Sequence, residues 1–267
     1  MQYRRTICIL LFILFSITGC GHSKVKVLED DFLDTQVGKI ENQKLIIIIP
    51  YKDKLTSVVK KKPLSLVKKK PLSVSEKKQR FIDILVPIST LVFRQLEAQY
   101  NSVKSDIEND INREYIELLK IKYKAKTDMT LLHALKPHPI SILLAQAATE
   151  SAWLTSRFTK DAYNIFGVWS FNKNEPRIAA SGSRGTKTIY LKKYKTLKAS
   201  IEDYYKNIGR SWAYSEFRKQ RTLTNDPYVL SNYLKSYSEK KEVYTELLKS
   251  MIKYNKFYIY DIKSNLK

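Results

Sequence analysis

The chain has 267 residues, 48 Lys and Arg against 26 Asp and Glu, and a formal net charge of +22. That length is enough for a domain held by its own apolar core, and two cysteines, Cys8 and Cys20, exclude a disulfide framework. So basic a surface attracts polyanions, and the N-terminal segment decides which of them the chain meets.

Arg4 and Arg5 precede an apolar run from Ile7 to Ile17 that is too short to span a bilayer as a mature helix, so the start reads as an export signal. An exported chain does not meet nucleic acid routinely, which turns the charge toward peptidoglycan carboxylates, teichoic acids or anionic lipid headgroups. Residues 20–74 read as a tether. Within it Gln43 to Pro50 (QKLIIIIP) can form a short strand or cling to a neighbour. Lys60-Lys61-Lys62-Pro63-Leu64-Ser65 recurs as Lys68-Lys69-Lys70-Pro71-Leu72-Ser73. Repelling lysines and helix-breaking prolines make that segment extended.

Order is expected from Ser75. A first helix carries Phe81, Ile82, Ile84, Leu85, Ile88, Leu91 and Val92, with Pro87 kinking or interrupting it. Gln95 to Asn109, Arg113 to Lys124 and Thr127 to Leu135 read as further helices, giving an N-terminal helical segment over 75–135. His133 and His138 lie five apart across a proline-bearing turn and make a poor metal pair, so packing is the better reading.

Ser141 to Gly167 (SILLAQAATESAWLTSRFTKDAYNIFG) organises the rest. Ile140, Leu143, Leu144, Ala147 and Leu154 recur at helical spacing, and Pro139 suits a first turn. Glu150 stands three residues after Ala147 and seven after Leu143, on their side. A carboxyl on an apolar stripe is either a structural acid, paired for instance with Arg157, or a general acid that desolvation keeps protonated. Asn172 to Tyr194 breaks the helical rhythm, with β-prone Thr186 to Tyr194 at its end. Helices return over Leu197 to Gly209, Trp212 to Arg221, Tyr228 to Tyr237 and Lys241 to Asn255, followed by a short, loose tail over 256–267.

Several of these stretches resemble one family. AQAATESAWLTSRFTKDAYNIFGVW is similar to the signature of the Bax-like glucosaminidases, peptidoglycan hydrolases of glycoside hydrolase family 73, roughly A-Q-A-x-x-E-S-x-W-G-x-S-R-F then N-x-F-G. Tyr194, Ser200, Ile201, Tyr204 and Asn207 resemble a second family segment; Ala213, Tyr214, Phe217 and Arg218 a third; Tyr237-Ser238-Glu239, Tyr244 and Asn255 the closing one. The resemblance covers about Lys77 to Asn255. It implies a mainly helical α+β fold: a lysozyme-like domain over 136–255 with a small β lobe facing the catalytic helix. Glu150 would be its proton donor. Trp153, Asn164, Phe166, Trp169, Tyr214, Tyr237 and Tyr244 become candidate substrate-binding residues, and Trp169 and Phe171 offer faces on which sugars stack. The chemistry needs no metal or cofactor.

Ile17-Thr18-Gly19-Cys20 resembles the lipobox of bacterial lipoproteins. That implies a signal over 1–19, acylation of Cys20 and a monomer tethered to a membrane in the cell envelope. Gly21, rather than Asp, after the cysteine points to the outer membrane, facing the periplasm.

The chain also departs from the family pattern. Leu154 stands where Gly is usual, and Tyr190 where many members carry a Glu. Between Asp161 and Glu202 the one carboxylate is Glu175, a possible second catalytic group. Three accounts follow in order of preference. The substrate's own acetamido oxygen serves as nucleophile, or Glu175 swings in, or the domain is slow or binds glycan without cleaving it. The expected reaction is cleavage of the β-1,4 bond after N-acetylglucosamine. Alternatives are muramidase or lytic transglycosylase cleavage, or a non-catalytic peptidoglycan-binding lipoprotein.

Overall fold

A computed structural model describes residues 71–184 and 187–262, all within one compact unit that begins at Pro63. The signal, Cys20 and nearly all of the tether therefore lie outside the described residues. Helix α1, Val74–Glu108, opens on a capping box: Glu76 N–H donates to Ser73 Oγ (3.2 Å) while Ser73 N–H donates to Glu76 Oε2 (2.7 Å). The two helices expected on either side of Pro87 are one helix of 35 residues. Proline deletes the hydrogen bond that would reach the Asp83 carbonyl, but Pro87 and Asp83 are both exposed, so water can take that carbonyl. Phe81, Leu85, Ser89, Val92 and Phe93 form its buried stripe.

Helices α2 (Arg113–Tyr123) and α3 (Asp128–Leu135) pack beside the second half of α1. Ile116, Leu119, Leu131 and Val103 form a small core there. The main core surrounds α4, Ile140–Ser151, which is buried on every side from Ile140 to Ala148. Helix α5 (Arg157–Ala162) leads to an antiparallel hairpin, β1 (Arg177–Arg184) and β2 (Lys187–Lys192). Ile178 pairs with Leu191 and Ala179 with Tyr190, and the register shifts between Ala179 and Ser183. Strand β1 has no alternating pattern in the sequence, and its pairing to β2 makes it a strand.

Helix α6 (Leu197–Arg210) returns across the molecule. A Cβ at Gly209 would lie 2.9 Å from the Ala134 carbonyl, so only glycine lets α6 pass this close to α3. The expected helix over 212–221 is a 3₁₀ turn, Trp212–Tyr214, followed by α7, Ser215–Gln220. That over 228–237 is α8, Pro227–Ser231, followed by a 3₁₀ segment, Asn232–Tyr237. Helix α9 spans Lys241–Tyr254.

Two boundaries need correction. Helix α1 contributes Phe81, Leu85, Val92 and Phe93 to the same core as α4, α6 and α9, so 75–135 is not a separate body. The tail is not loose at its start. Phe257–Tyr260 forms a 3₁₀ turn, Phe257 is 1% exposed, and Asp261 accepts hydrogen bonds from Ser141 N–H and Oγ–H, both 2.7 Å. The mainly helical α+β class with a small β lobe is the one observed.

Candidate active site

Glu150 lies where α4 leaves the core. Its helix is apolar all round through Ala148, so the acid does not share an inward stripe as the spacing suggested; it emerges into a groove and is itself exposed. Aromatic walls nevertheless crowd the carboxyl. Their desolvation raises its pKa above the ordinary glutamate value, and a hydrogen bond from Tyr244 pulls the other way. A group can touch water on one side and still lose most of its hydration to low-dielectric walls on the others, which reconciles its exposure with the raised pKa.

The turn that follows fixes the helix end. Ala152, Trp153 and Leu154 all take left-handed backbone, with φ of 50°, 62° and 62°. Such a conformation costs a side-chain-bearing residue roughly 1–2 kcal/mol, which explains why a glycine at position 154 would suit the turn. Ser151 holds it: its buried hydroxyl donates to the Ala147 carbonyl and accepts from Leu154 N–H at 2.8 Å.

Tyr244, on α9, donates its hydroxyl to Glu150 Oε1 at 3.1 Å. Its ring stacks on Tyr237, with centroids 5.6 Å apart and planes 5° from parallel, and Tyr214 lies 6.2 Å from Tyr237. Burial and the Glu150 charge push the Tyr214 hydroxyl up to about 12, so all three tyrosines stay neutral donors at neutral pH. Beside them is a pocket of ≈ 200 Å³. Phe166, Val168 and Ile208 give it apolar surface; Asn207, Tyr214 and Tyr237 give it amide and hydroxyl groups. Phe166 stacks on Tyr204 at 4.2 Å. Trp169, 42% exposed, and Phe171, 84% exposed, stand 6.0 Å apart beside the hairpin, where Trp169 bridges to Leu191.

The structure therefore brings Glu150, Tyr214, Tyr237, Tyr244 and Phe166 to one groove, and leaves Trp169 as an open aromatic face. Three other candidates are employed elsewhere. Trp153 meets Phe81 edge-on at 5.1 Å and Phe257 at 6.1 Å, with Lys78 Nζ 5.0 Å above its ring; it packs α1 to the C-terminal turn. Asn164, 1% exposed, donates to the carbonyls of Val168 and Lys192 and accepts from Val168 N–H, stapling the Asn-Ile-Phe-Gly turn to β2. Glu175 accepts from Ser170 Oγ at 2.7 Å, which anchors it at the root of the hairpin. Arg157 extends away from the acid to donate to the Ala179 carbonyl. Tyr190 lies beneath the Arg177 guanidinium, 4.0 Å from ring centroid to carbon.

Sequence reasoning gave no role to Gln146, which is fully buried and hydrogen-bonded to both Tyr204 and Tyr244. The signal was available: a lone amide on an otherwise apolar helix, one turn before the acid, must find partners inside the protein. His138, also fully buried, faces Tyr204 rather than any metal-ligand set.

Residues 125–257 match the family model Glucosaminidase, described as mannosyl-glycoprotein endo-β-N-acetylglucosaminidase. Over 175 residues the chain is 28% identical to Protein bax of Escherichia coli (strain K12), a match covering 62% of this chain and 60% of that relative. Among solved structures, it is similar to the catalytic domain of the autolysin Auto from Listeria monocytogenes. That match has 19% identity and a TM-score of 0.46, over 75% of this chain and 100% of the other. A peptidoglycan hydrolase from Sphingomonas sp. A1 matches at 17% identity and a TM-score of 0.43, over 68% and 92% of the two chains.

Proposed function

The chain belongs, through residues 125–257, to the glucosaminidase family of glycoside hydrolases, and from that premise we propose that it cleaves peptidoglycan at the β-1,4 bond after N-acetylglucosamine. Glu150 protonates the leaving oxygen. The observation that carries this role is the carboxyl's position in the tyrosine-walled groove, desolvated enough to hold its proton above the usual pH and hydrogen-bonded on one oxygen only. Asn207, Tyr214 and Tyr237 suit a 2-acetamido group, whose methyl would meet Phe166 and Ile208.

A glycosidase with one enzyme carboxyl must find its second group elsewhere. With Glu175 held by Ser170, the substrate's acetamido oxygen is the favoured nucleophile. It attacks the anomeric carbon as the glycosidic bond breaks, giving an oxazolinium that water opens to the hemiacetal. Glu150 gives its proton to the departing hydroxyl and recovers one from that water.

Glu150→Gln keeps the side-chain shape and removes the acidic proton. It should lower turnover on purified sacculi by at least ~10²-fold, and wild-type activity should fall as pH rises through the elevated carboxyl pKa. Mass spectrometry of the digest identifies the bond, since reducing N-acetylglucosamine, reducing muramic acid and anhydromuramic acid differ. Equal digestion by Glu150→Gln would refute the acid. Glycan binding without cleavage by either protein would favour the binding-protein reading.

The second part of the proposal is envelope anchoring through lipid on Cys20, supported by the Ile17-Thr18-Gly19-Cys20 sequence after the apolar run. Acyl chains hold a protein to a bilayer at about 0.8 kcal/mol per buried methylene. Cys20→Ala should abolish labelling by a palmitate analogue and release the protein from the membrane fraction. Unchanged labelling would exclude this cysteine as the anchor.

A further inference from the structure

The acid is the last member of a continuous chain of hydrogen bonds that begins deep in the core. Tyr204 Oη lies 2.9 Å from His138 Nε2 and donates to Gln146 Oε1 at 2.5 Å. Gln146 Nε2 donates to Tyr244 Oη at 3.1 Å, and Tyr244 Oη donates to Glu150 Oε1 at 3.1 Å. His138, Gln146, Tyr204 and Tyr244 are all buried, at 0%, 0%, 2% and 4% exposure.

Each hydroxyl has a single proton, so the chain has a direction. Tyr204 spends its proton on the Gln146 carbonyl, and His138 must then present Nε2–H to the tyrosine oxygen. This is the neutral tautomer with the proton on Nε2, and it agrees with His138 Nδ1 having no partner. Tyr204 thereby fixes which end of the Gln146 amide faces it. The other end, the NH₂, meets Tyr244 as a donor. Tyr244 accepts there, and its own proton is left for Glu150 Oε1.

That direction bears on the chemistry. A protonated carboxyl can turn its O–H toward Tyr244, where the proton is useless, or toward the groove. While Tyr244 donates to Oε1, that oxygen is an acceptor, and the acid proton resides on Oε2. Resting on the reading of Glu150 as the general acid, we infer that Gln146 is a positioning residue: by holding Tyr244 as a donor it keeps the Glu150 proton on the oxygen that faces substrate. With the amide reversed or absent, the Glu150 O–H can donate to Tyr244 Oη, which stabilises the protonated form in an unproductive orientation. The ionisable groups that face Glu150, Tyr214 on its 3₁₀ turn, Tyr237 on the segment after α8 and Tyr244 on α9, are neutral and supply no competing charge.

A double-mutant cycle tests this. Gln146→Met is close in volume and cannot donate, and Tyr244→Phe removes the group through which Gln146 is argued to act. The full-length protein and these variants would be compared by kcat and KM on isolated glycan strands and by ¹³C titration of the Glu150 carboxyl. Gln146→Met should lower kcat about tenfold with KM within twofold, and raise the carboxyl midpoint. In the Tyr244→Phe background both effects should vanish. Tyr204→Phe, which frees the amide to turn without touching the acid, should reproduce a smaller part of each effect and guards against a misfolded Gln146→Met. Equal kcat losses in the two backgrounds, or an unmoved carboxyl midpoint, overturn the inference. If the wild type itself cleaves no glycan, the hydrolase reading falls, while the titrations still decide whether Gln146 acts on Glu150 through Tyr244.

Discussion

At the scale of single residues, neighbours rather than residue type decide what an aromatic does. Trp153 and Trp169 look alike in the sequence, each a tryptophan near the acid. Trp153 has its ring enclosed by Phe81, Phe257 and Lys78, while Trp169 keeps an open face next to Phe171. Trp153→Ala should therefore cost about 2–4 kcal/mol of stability, the range for truncating a large packed aromatic that is not fully buried. It should leave KM for glycan unchanged in the folded fraction. Urea unfolding alongside steady-state kinetics checks both, and a raised KM at unchanged stability would return Trp153 to the sugar site. Glu150 was legible because its motif is specific and because a carboxyl amid apolar residues demands an explanation. Its contact with Tyr244 was not, since it spans 94 positions of sequence and depends on how α9 docks.

At the scale of elements, local signals located helices well and joined them poorly. Ser73 with Glu76 marks the start of α1, and the Pro-rich approach to Ile140 marks that of α4. Pro87 misled, because a proline's cost falls when its orphaned carbonyl faces water, and exposure is a tertiary property. Asp261 was read as part of a loose tail, yet it caps the N-terminus of the catalytic helix through Ser141. Burial raises its pKa to about 6, chiefly by desolvation and against the Ser141 hydrogen bonds. A folded-state value above the unfolded one means that the native protein binds the extra proton. This contribution to stability is complete below the unfolded value of about 3.9 and is lost as pH rises through 6. Discounted for its partly open rim, the loss is about 2 kcal/mol. Asp261→Asn, which keeps an acceptor for Ser141 N–H, should flatten that part of the profile between pH 4 and pH 7. Urea midpoints that change in parallel for both proteins would show that Asp261 is not the group responsible.

At the scale of the whole molecule, the family match begins at residue 125, but the core that positions Glu150 does not. Helix α1 buries Phe81, Leu85, Val92 and Phe93 in the cluster that also holds Leu143, Ala147, Ile201, Tyr244 and Phe257. Phe81 touches Trp153 in the turn after the acid and Phe257 beyond α9, so this one helix braces both sides of the groove. Each such side chain contributes about 1.5–3 kcal/mol on burial. The four together thus contribute about as much as the net stability of an ordinary domain, 5–15 kcal/mol. A fragment of residues 125–257 should consequently fail to show a cooperative urea transition and should expose the apolar face that α1 covers, whereas residues 71–262 should unfold in one step. Near-ultraviolet circular dichroism, with urea titration of the two fragments at equal concentration, separates the outcomes. A cooperative transition in 125–257 with the midpoint of the longer fragment would mean that α1 is an accessory. Restored tertiary signal on adding a peptide of residues 71–110 to 125–257 would instead identify the missing helix as what the family segment lacks.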